Sequence, residues 1–531
     1  MDPYPANRTR SSFPLRAVLL VCVAGAGCSG PGVANDDDEA TPAPVSPIIP
    51  FEDSGPERGL VTALQSSDGL EGVTSWGTGG RLVARDLDGD GDIDLLFAEF
   101  TGAPLVYLND GAGFFSEVDA GFSLPSGTVT IAATVADLTA DGVADLLLST
   151  RASLLLCAGL GDGRFGEPST LFSLDEPTKV DITNIAVGDV DGDNVSDLLL
   201  STSGYQIVDG EPLELAGAPD VLLLRSDEGL EQVWIEADAP GSSALLATLT
   251  DFDTDGDLDI YVPQDEGLPG LMFRSSGGGD ELLEVSAAIG VDVQMSAMGF
   301  DSADLNGDGR LDYCISDIGN PVCLLSEGAQ GFVNGTTALG LADPAVGWGL
   351  ALGDLDNDGF VELLQASGPS DDADPGENAT APQPNRVWRG LPGGGFAPLG
   401  PAIGFDSTDN DLGVATVDLD GDGSLDVVLA GPGRAPKLWM NRPGGAWIEV
   451  IVQGPAGSPE SFGAQVSLRI GDVRVTREIT SSRGPNQGAA RAHFGLGGTD
   501  VIERMEVRWP DGAVVELRDV TAGQVLRVVH P

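Results

Sequence analysis

Short apolar segments separated by turn residues recur along most of the chain. In the first copy the segment RLVA leads into an acidic stretch, and IDLLFAE, PLVYLND and FFSEVDA follow, the last two separated by the turn GAG. Short apolar or alternating runs bounded by turn signals predict β-strands. Longer apolar runs, such as ADLLLST around Leu146, predict strands buried between neighbouring sheets. Each copy is therefore expected to contain four strands.

The acidic stretch is the most regular part of the repeat. It is nine residues long and reads DLDGDGDID from Asp86 to Asp94. Seven copies occur, and successive copies start 51, 52, 62, 53, 50 and 64 residues apart. Four strands in roughly 50 residues, repeated along the chain, are the signature of a β-propeller. We therefore predict an all-β chain with a seven-bladed β-propeller over residues 48–445, followed by a small β-sandwich-like domain over residues 446–531.

The sequence also predicts how the propeller closes. The segment IIPFEDSGPERGL, starting at Ile48, resembles the fourth strand of a copy but precedes the first acidic stretch. The seventh copy instead runs from KLWMNRPGG directly into a different sequence. We expect the strand around Phe51 to complete the last blade.

The acidic stretches have the composition of calcium-binding loops. Oxygen-bearing side chains occupy positions 1, 3, 5 and 9, position 6 is usually glycine, and position 7 can add a backbone carbonyl. Calcium takes six to eight oxygen ligands, and glycine permits the sharp turn around the ion, whereas magnesium demands stricter octahedral geometry. Up to seven calcium ions are predicted. The expected ligands are Asp86, Asp88, Asp90 and Asp94; Asp137, Thr139, Asp141 and Asp145; Asp189, Asp191, Asp193 and Asp197; Asp251, Asp253, Asp255 and Asp259; Asp304, Asn306, Asp308 and Asp312; Asp354, Asp356, Asp358 and Glu362; and Asp418, Asp420, Asp422 and Asp426.

The seven copies differ in ligand quality. Thr139 is a weaker ligand than aspartate, Asn194 replaces the usual glycine in the third copy, and Glu362 is longer than the usual aspartate. Asn306 supplies a neutral oxygen that calcium accepts. We therefore expect strong sites in the first, fourth, fifth and seventh copies.

An alternative is that these Asp-Gly runs are only turn residues between strands. Seven copies in register, each with an acid returning at position 9, favour metal binding. An EF-hand is rejected, because position 12 of the first copy is Phe97 rather than glutamate and the flanking residues are strand formers.

The charge of the chain supports the same interpretation. The formal net charge is −57, which excludes nucleic acid and anionic membrane surfaces as partners. Residues 446–531 are nearly balanced, with nine basic and ten acidic side chains, so the excess acid lies upstream. Seven divalent ions would neutralise 14 charges, and calcium is expected to stabilise the structure.

The N-terminus predicts export. Residues 1–28 combine arginines, the apolar run AVLLVCVAGAG and Cys28, which together are typical of a bacterial lipoprotein signal. Lipidation of Cys28 would anchor an outer-membrane lipoprotein, whereas cleavage after Ala24-Gly25-Ala26 would give a freely secreted protein. We favour the lipoprotein, because residues 29–47 form a Pro- and Asp-rich segment expected to be a disordered tether. The membrane is expected as a partner only through this anchor.

An exported protein reaches an oxidising compartment where disulfides form. Cys314 and Cys323 lie almost symmetrically about a turn near Ile318-Gly319, which would place them opposite each other in a hairpin. Either a disulfide or two buried thiols would satisfy this arrangement.

These motifs resemble a known family. The repeats look like FG-GAP (or VCBS) repeats, the units of integrin α-subunit propellers, and the segment from Trp447 resembles the ASPIC/UnbV domain, with FGAQV, HFGLGG and VRWPDG in that order. Together they resemble the cartilage acidic protein family, whose bacterial members are exported propeller proteins. The resemblance implies calcium held by the loop carboxylates and implies no particular reaction.

The sequence favours a binding module over an enzyme. The two histidines, His493 and His530, both lie outside the predicted propeller, which excludes a histidine-dependent triad within it. We expect a surface or envelope adhesion module for an unidentified protein or glycan partner. The alternatives are a structural envelope protein and a calcium-assisted polysaccharide lyase or hydrolase, the latter resting on analogy of fold alone.

Overall fold

Most of the chain from residue 50 onward is described by a computed structural model. The described residues are 50–65, 81–151, 153–174, 180–204, 206–208, 211–213, 219–226, 229–235, 243–278, 282–369, 382–400, 403–442, 444–471 and 473–531. The predicted export signal, Cys28 and the predicted tether lie outside these residues.

The first three sheets follow one another along the chain. Their strands are β1 (Arg81–Arg85), β2 (Asp94–Ala98), β3 (Leu105–Asn109) and β4 (Phe115–Val118); β5 (Thr130–Ala136), β6 (Asp145–Thr150), β7 (Ser153–Cys157) and β8 (Ser169–Ser173); and β9 (Val180–Gly188), β10 (Asp197–Gly204), a separate hairpin of β11 (Gln206–Val208) and β12 (Glu211–Leu213), β13 (Asp220–Ser226) and β14 (Gly229–Ile235). The neighbouring strands among these are antiparallel.

The fourth to seventh sheets continue the pattern. Their strands are β15 (Thr248–Thr250), β16 (Asp259–Val262), β17 (Leu268–Pro269), β18 (Leu271–Arg274), β19 (Leu283–Glu284) and β20 (Gln294–Met295); β21 (Phe300–Ala303), β22 (Asp312–Ile315), β23 (Ile318–Gly319), β24 (Val322–Ser326) and β25 (Phe332–Asn334); β26 (Ala345–Gly353), β27 (Glu362–Ser367), β28 (Arg386–Gly390) and β29 (Phe396–Pro398); and β30 (Gly413–Val417), β31 (Asp426–Ala430) and β32 (Lys437–Trp439). Strands β17 and β20 pair with each other, and β23 joins the edge of the β26 sheet. The helices of the described chain are short: 3-10 turns at Pro56–Arg58 and Gly328–Gln330 and α1 (Ser286–Ile289). None of the described helices is long and apolar enough to cross a membrane.

Apolar side chains fill the space between neighbouring sheets. Val83 and Leu96 of the first sheet pack with Val135 and Leu146 of the second, and all four are almost fully buried. Strand β1 lies beside both β5 and β30, so the last sheet returns to the first. The prediction of an all-β chain built as a β-propeller with a C-terminal β domain is confirmed.

The segment around Phe51 lies beside the seventh sheet, as predicted, but it does not form a strand. The backbone N–H of Ser54 donates to the carbonyl of Leu438 at 2.8 Å, along β32 of the seventh sheet. The Phe51 ring lies 5.4 Å from both Phe405 and Trp439. Hydrogen bonds of Asp53 and Ser54 to Leu438, together with an aromatic cluster, therefore fix the segment instead of a full strand ladder.

The fifth sheet contains the disulfide site considered above. Strands β22 and β24 place Cys314 opposite Cys323, and the two sulfurs are bonded with the Cα atoms 4.2 Å apart. Cys157 is a free and buried thiol.

The C-terminal domain consists of two sheets that enclose a common core. Its strands are β33 (Ala446–Gln453), β34 (Gln465–Ile470), β35 (Val473–Glu478), β36 (Asn486–Gln487), β37 (Ala492–Gly497), β38 (Val501–Arg508), β39 (Val514–Thr521) and β40 (Gln524–Val529). One sheet has the order β37-β33-β40 and the other β35-β34-β38-β39. Strands β33 and β40 are parallel, whereas the other pairs are antiparallel.

Strand β36 leaves this domain and enters the centre of the propeller. It pairs in parallel with β1, with Leu82 opposite Asn486 and Val83 opposite Gln487. Residues 481–487, here called the plug, hydrogen bond to the first strands of five sheets. These bonds are Leu82 N–H to Pro485 O, Val135 N–H to Gln487 Oε1, Val187 N–H to Ser481 Oγ, Phe300 N–H to Arg483 O, and Val414 N–H to Asn486 Oδ1. The plug therefore fills the centre around which the first strands are arranged.

Ionic and polar side chains hold the plug as well. The Arg483 guanidinium lies 3.1 Å from the buried carboxylate of Asp301 on β21. The Asn184 side chain on β9 donates to Ser482 at 2.9 Å and to the carbonyl of Gly484 at 3.0 Å. These polar side chains of β21 and β9 are thus bonded to the plug.

Candidate metal centres

Each acidic stretch joins the first and second strands of one sheet. The stretches connect β1–β2, β5–β6, β9–β10, β15–β16, β21–β22, β26–β27 and β30–β31, and position 9 is always the first residue of the second strand. Since equivalent connections leave equivalent ends of the sheets, all seven stretches, called the acidic loops below, share one end of the propeller.

All seven acidic loops have the same backbone shape. Positions 4 and 6 have positive φ in every copy, including the non-glycine residues Ala140, Thr254, Asn357 and Asn194. A threonine in this region is unfavourable because its branched side chain crowds the backbone. The sequence predicted the requirement at position 6 but not at position 4, where glycine is present in only some copies.

The position-1 carboxylate closes the loop on itself. In the first loop Asp86 accepts hydrogen bonds from the backbone N–H groups of Gly89 at 2.8 Å and Gly91 at 3.0 Å. In the other six loops the bond from the position-6 N–H recurs. The other donor is the N–H of position 4 in the third, fifth and seventh loops and the N–H of position 5 in the second, fourth and sixth. The side chain therefore shapes the turn, as the turn-residue alternative requires, while leaving lone pairs available to an ion.

The position-9 carboxylate joins two parts of its sheet. Asp94 accepts a hydrogen bond at 2.8 Å from the N–H of Leu87 within the loop and another at 2.8 Å from the N–H of Asn109 at the end of β3. The same two bonds recur in every loop, including the sixth, where Glu362 replaces aspartate. Sequence reasoning gave this residue only a ligand role, whereas the structure gives it a role in holding the blade together.

Five loops bring three carboxylates within metal-binding distance. Ligand oxygens lie within 4.8 Å of one another in these groups: Asp86, Asp88 and Asp90; Asp189, Asp191 and Asp197; Asp251, Asp253 and Asp255; Asp354, Asp356 and Glu362; and Asp418, Asp420 and Asp426. The second and fifth loops, which carry Thr139 and Asn306 at position 3, are not among these groups. Several acidic clusters in the described chain can therefore bind metal ions.

Because these carboxylates are buried, their ionised forms are unfavourable. Burial raises the pKa of Asp197 to about 8, of Asp259 to about 9 and of Asp251 to about 7. Two position-3 oxygens, Oδ1 of Asp356 and Oδ1 of Asp420, are buried without a hydrogen-bond partner. Since a buried acceptor without a partner is unfavourable, a cation bound at these oxygens would remove a cost that the fold otherwise carries. The donor set therefore fits a hard divalent ion with oxygen ligands.

Arginines already neutralise part of this charge. Arg389 lies 2.5 Å from Asp356 and 3.2 Å from Asp358 in the sixth loop, and Arg442 lies 3.3 Å from Asp420 in the seventh. A guanidinium bonded to a ligand oxygen competes with an ion for the same charge.

The two histidines lie outside the acidic loops, and two of the tryptophans belong to the core. His493 is enclosed by neighbouring groups, its Nε2 atom lies 3.2 Å from the carbonyl of Gly423, and burial lowers its pKa to about 4. His530 contacts Asp511 at the surface of the C-terminal domain. Trp388 and Trp509 are buried within the core.

The comparisons with known proteins agree with this geometry. The family described as FG-GAP-like repeat matches residues 86–148, 137–200 and 304–364, and the family described as ASPIC and UnbV matches residues 454–531. Cartilage acidic protein 1 from Xenopus tropicalis is 28% identical over 294 residues, which cover 51% of this chain and 43% of that protein. The human protein of the same name is 27% identical over 291 residues, covering 51% of this chain and 42% of its own length. The match thus spans less than half the length of these relatives.

The chain was also aligned with a solved structure. That structure is an Agrocybe aegerita lectin described for its specific recognition of non-reducing terminal N-acetylglucosamine, and it is 16% identical. The alignment has a TM-score of 0.39 and covers 64% of this chain and 83% of that chain. The chain thus contains FG-GAP-like repeats within its β-propeller and a C-terminal ASPIC and UnbV domain, and about half of it is distantly similar to cartilage acidic protein 1.

Proposed function

We propose that this protein is an exported, calcium-binding β-propeller that acts as a binding or adhesion module for a protein or glycan partner. The combination of FG-GAP-like repeats with an ASPIC and UnbV domain supports a protein-binding or adhesion-type role. The plug fills the centre of the propeller, so the partner would bind to its outer surfaces.

One observation carries the calcium assignment. Five groups of three carboxylates converge within 4.8 Å, and two of them hold a buried oxygen without a partner, on Asp356 and Asp420. Calcium satisfies such oxygens with flexible geometry, and it offsets the repulsion among four acidic side chains in one loop.

A thermal melt of the chelator-treated protein tests this assignment. For a site with a Kd of ~10⁻⁴ M, ~1 mM calcium adds roughly 1.4 kcal/mol of stability, and several sites compound. We expect a large saturable rise in Tm that magnesium does not reproduce. The double variant Asp420→Asn/Asp422→Asn should lose part of the rise, whereas Asp119→Asn, an exposed acid outside the loops, should keep all of it. An unchanged Tm in calcium would overturn the assignment and leave the acidic loops as turns.

The binding role requires a separate test. The calcium-loaded protein would be applied to arrays of glycans and of extracellular proteins, with a chelator-treated sample as control. Saturable binding to one class of partner supports the proposal. Release of new reducing or unsaturated ends from a polysaccharide would instead establish an enzyme.

We propose a lipid anchor at Cys28 as the finer localisation. FG-GAP-like repeats are typical of exported proteins, and the sequence around Cys28 supports lipidation. Metabolic labelling with a fatty acid, compared between the natural sequence and Cys28→Ala, tests it. Label on both forms, or on neither, would contradict the anchor and favour secretion.

A further inference from the structure

The C-terminal domain contacts every acidic loop. Seven hydrogen bonds, one to each loop in chain order, make this contact: Arg491 Nη2–H to Gly91 O, Asp137 N–H to Glu460 Oε1, Ser196 N–H to Gly457 O, Asp251 N–H to Glu478 Oε1, Asp304 N–H to Thr476 O, Gly497 N–H to Asn357 O, and a ring nitrogen of His493 at Gly423 O. Their lengths run from 2.6 to 3.3 Å. The domain therefore covers the end of the propeller that carries the candidate metal centres.

These contacts depend on the wrapped shape of the loops. The domain bonds to backbone carbonyls at position 4 or 6 in three loops, those of Gly91, Asn357 and Gly423. All three residues have positive φ, a conformation that asparagine adopts at a cost. An ion that draws the side chains of positions 1, 3 and 5 together holds the same conformation. Ion binding and domain contact thus require one common loop shape.

The charges at this interface also favour a coupling between ion binding and domain contact. The domain brings the buried carboxylates of Glu478 and Glu449 close to the position-1 acids Asp251 and Asp418. Like charges brought together in a buried interface repel one another strongly, and a divalent cation in the loop turns the repulsion into attraction. Two arginines act in the opposite sense without any ion. Asp304 and Asp354 attract Arg477, and Arg491 lies 3.0 Å from Glu449. The domain is therefore expected to loosen, rather than to separate, when ions leave.

The contacts continue from the loops into the centre of the propeller. Strand β35 ends at Glu478, against the fourth loop, and the plug begins three residues later at Ser481. On the return, Gln487 pairs with β1 and Arg491 bonds to the first loop. Because so few residues separate loop contacts from plug contacts, a shift of the domain on the loops moves the plug.

We propose that ion binding by the acidic loops and seating of the plug are thermodynamically linked, so that the ion-loaded propeller retains the plug and ion release loosens it. The proposal rests on the proposed function, that the loops bind calcium. Linkage is reciprocal: if ions favour the seated plug, the seated plug favours ions by the same factor. The C-terminal domain would then respond to the calcium concentration around the protein.

Hydrogen exchange of the full chain tests the linkage directly. Amide protection of residues 481–487 would be measured in calcium and after chelation, with residues 514–521 of β39 as an internal reference in the same domain. We expect calcium to raise protection of the plug by about 5-fold or more, a typical size for coupling between sites. The reference strand, whose side chains are mostly exposed, should change much less.

The reciprocal measurement uses a variant. Asn486→Ala removes the acceptor for Val414 N–H without touching a loop, and calorimetry should show weaker calcium binding, by several-fold, than in the natural protein. The matched control is Arg518→Ala on β39, which should bind calcium normally. Calcium binding with equal plug protection in both states would overturn the linkage and leave the proposed function intact. Absence of calcium binding by calorimetry would overturn both.

Discussion

Replacing Gln487 with alanine should destabilise the whole protein, although the residue lies in a short strand near the end of the chain. The Gln487 side chain is 1% exposed and binds both backbone groups of Val135, accepting from N–H at 2.8 Å and donating to the carbonyl at 2.9 Å. Val135 is fully buried on β5, so water replaces these bonds poorly. Each unsatisfied buried group costs ~1–3 kcal/mol, and two give a loss of about 2–6 kcal/mol in the free energy of unfolding.

Urea denaturation followed by tryptophan fluorescence, in constant calcium, measures this loss. The control is Gln232→Ala, an exposed glutamine on β14, which should change stability by less than about 0.5 kcal/mol. Gln487→Glu keeps one acceptor but places a buried oxygen against the carbonyl of Val135, so it should be at least as damaging as alanine. A loss below about 1 kcal/mol for Gln487→Ala would refute the view that the plug is a fixed part of the propeller.

Three further changes test other parts of the structure. Arg389→Met removes a guanidinium that is bonded to two acids of the sixth loop and competes there with calcium. If this competition is worth ~1 kcal/mol, calorimetry should show about 5-fold tighter calcium binding to the sixth loop. Weaker binding would mean that the arginine orients the ligands. Burial raises the pKa of Asp220 from 3.8 to about 7, so the native state holds a proton that the unfolded state has lost, and stability falls as pH rises toward 7. Asp220→Asn should therefore be more stable than the natural protein above pH 7, by up to about 4 kcal/mol in urea denaturation, with the advantage absent near pH 4. Replacing Cys314 and Cys323 by alanine opens a loop of sequence separation 9, and it should lower the free energy of unfolding by about 2–3 kcal/mol more under oxidising than under reducing conditions.

The repeated part of the fold was predictable because its signals are local. Each strand is a short apolar run, each acidic loop follows the first strand of a sheet, and both can be read within one copy. The contacts at the N-terminal end of the propeller join residues that are far apart in the chain. The segment around Phe51 contacts the seventh sheet as predicted, but it packs by its aromatic ring rather than by a strand ladder.

The candidate metal centres were predicted in part. The sequence identifies the acids of each loop, yet it cannot separate a ligand from a structural acceptor, since both roles need a carboxylate. Asp94 illustrates this point, because its backbone partners, Leu87 and Asn109, are 7 and 15 residues away in the chain. The converging groups of three acids depend on side-chain directions that spacing alone does not fix.

The plug could not be predicted from periodicity. The segment SSRGPNQG, from Ser481 to Gly488, is polar and has neither helical nor strand alternation, so it reads as an exposed loop. Its partners lie about 70 to 400 residues earlier in the chain, on strands that already pair with a strand of their own repeat. A polar segment without periodicity, between strands of a β domain, is the one sign that the sequence offered.

The parallel pairing of β36 with β1 also sets an order for folding. The two strands are separated by about 400 residues, so this contact forms only after almost the entire chain has been made. Until then the first strands present unpaired polar groups around an open centre, and such intermediates are prone to aggregation. Closing so long a loop is slow compared with forming the hairpins of each sheet. Refolding should therefore show a late phase in which the blades are already formed, and chaperones that act on the newly made chain would meet a propeller that still lacks its centre.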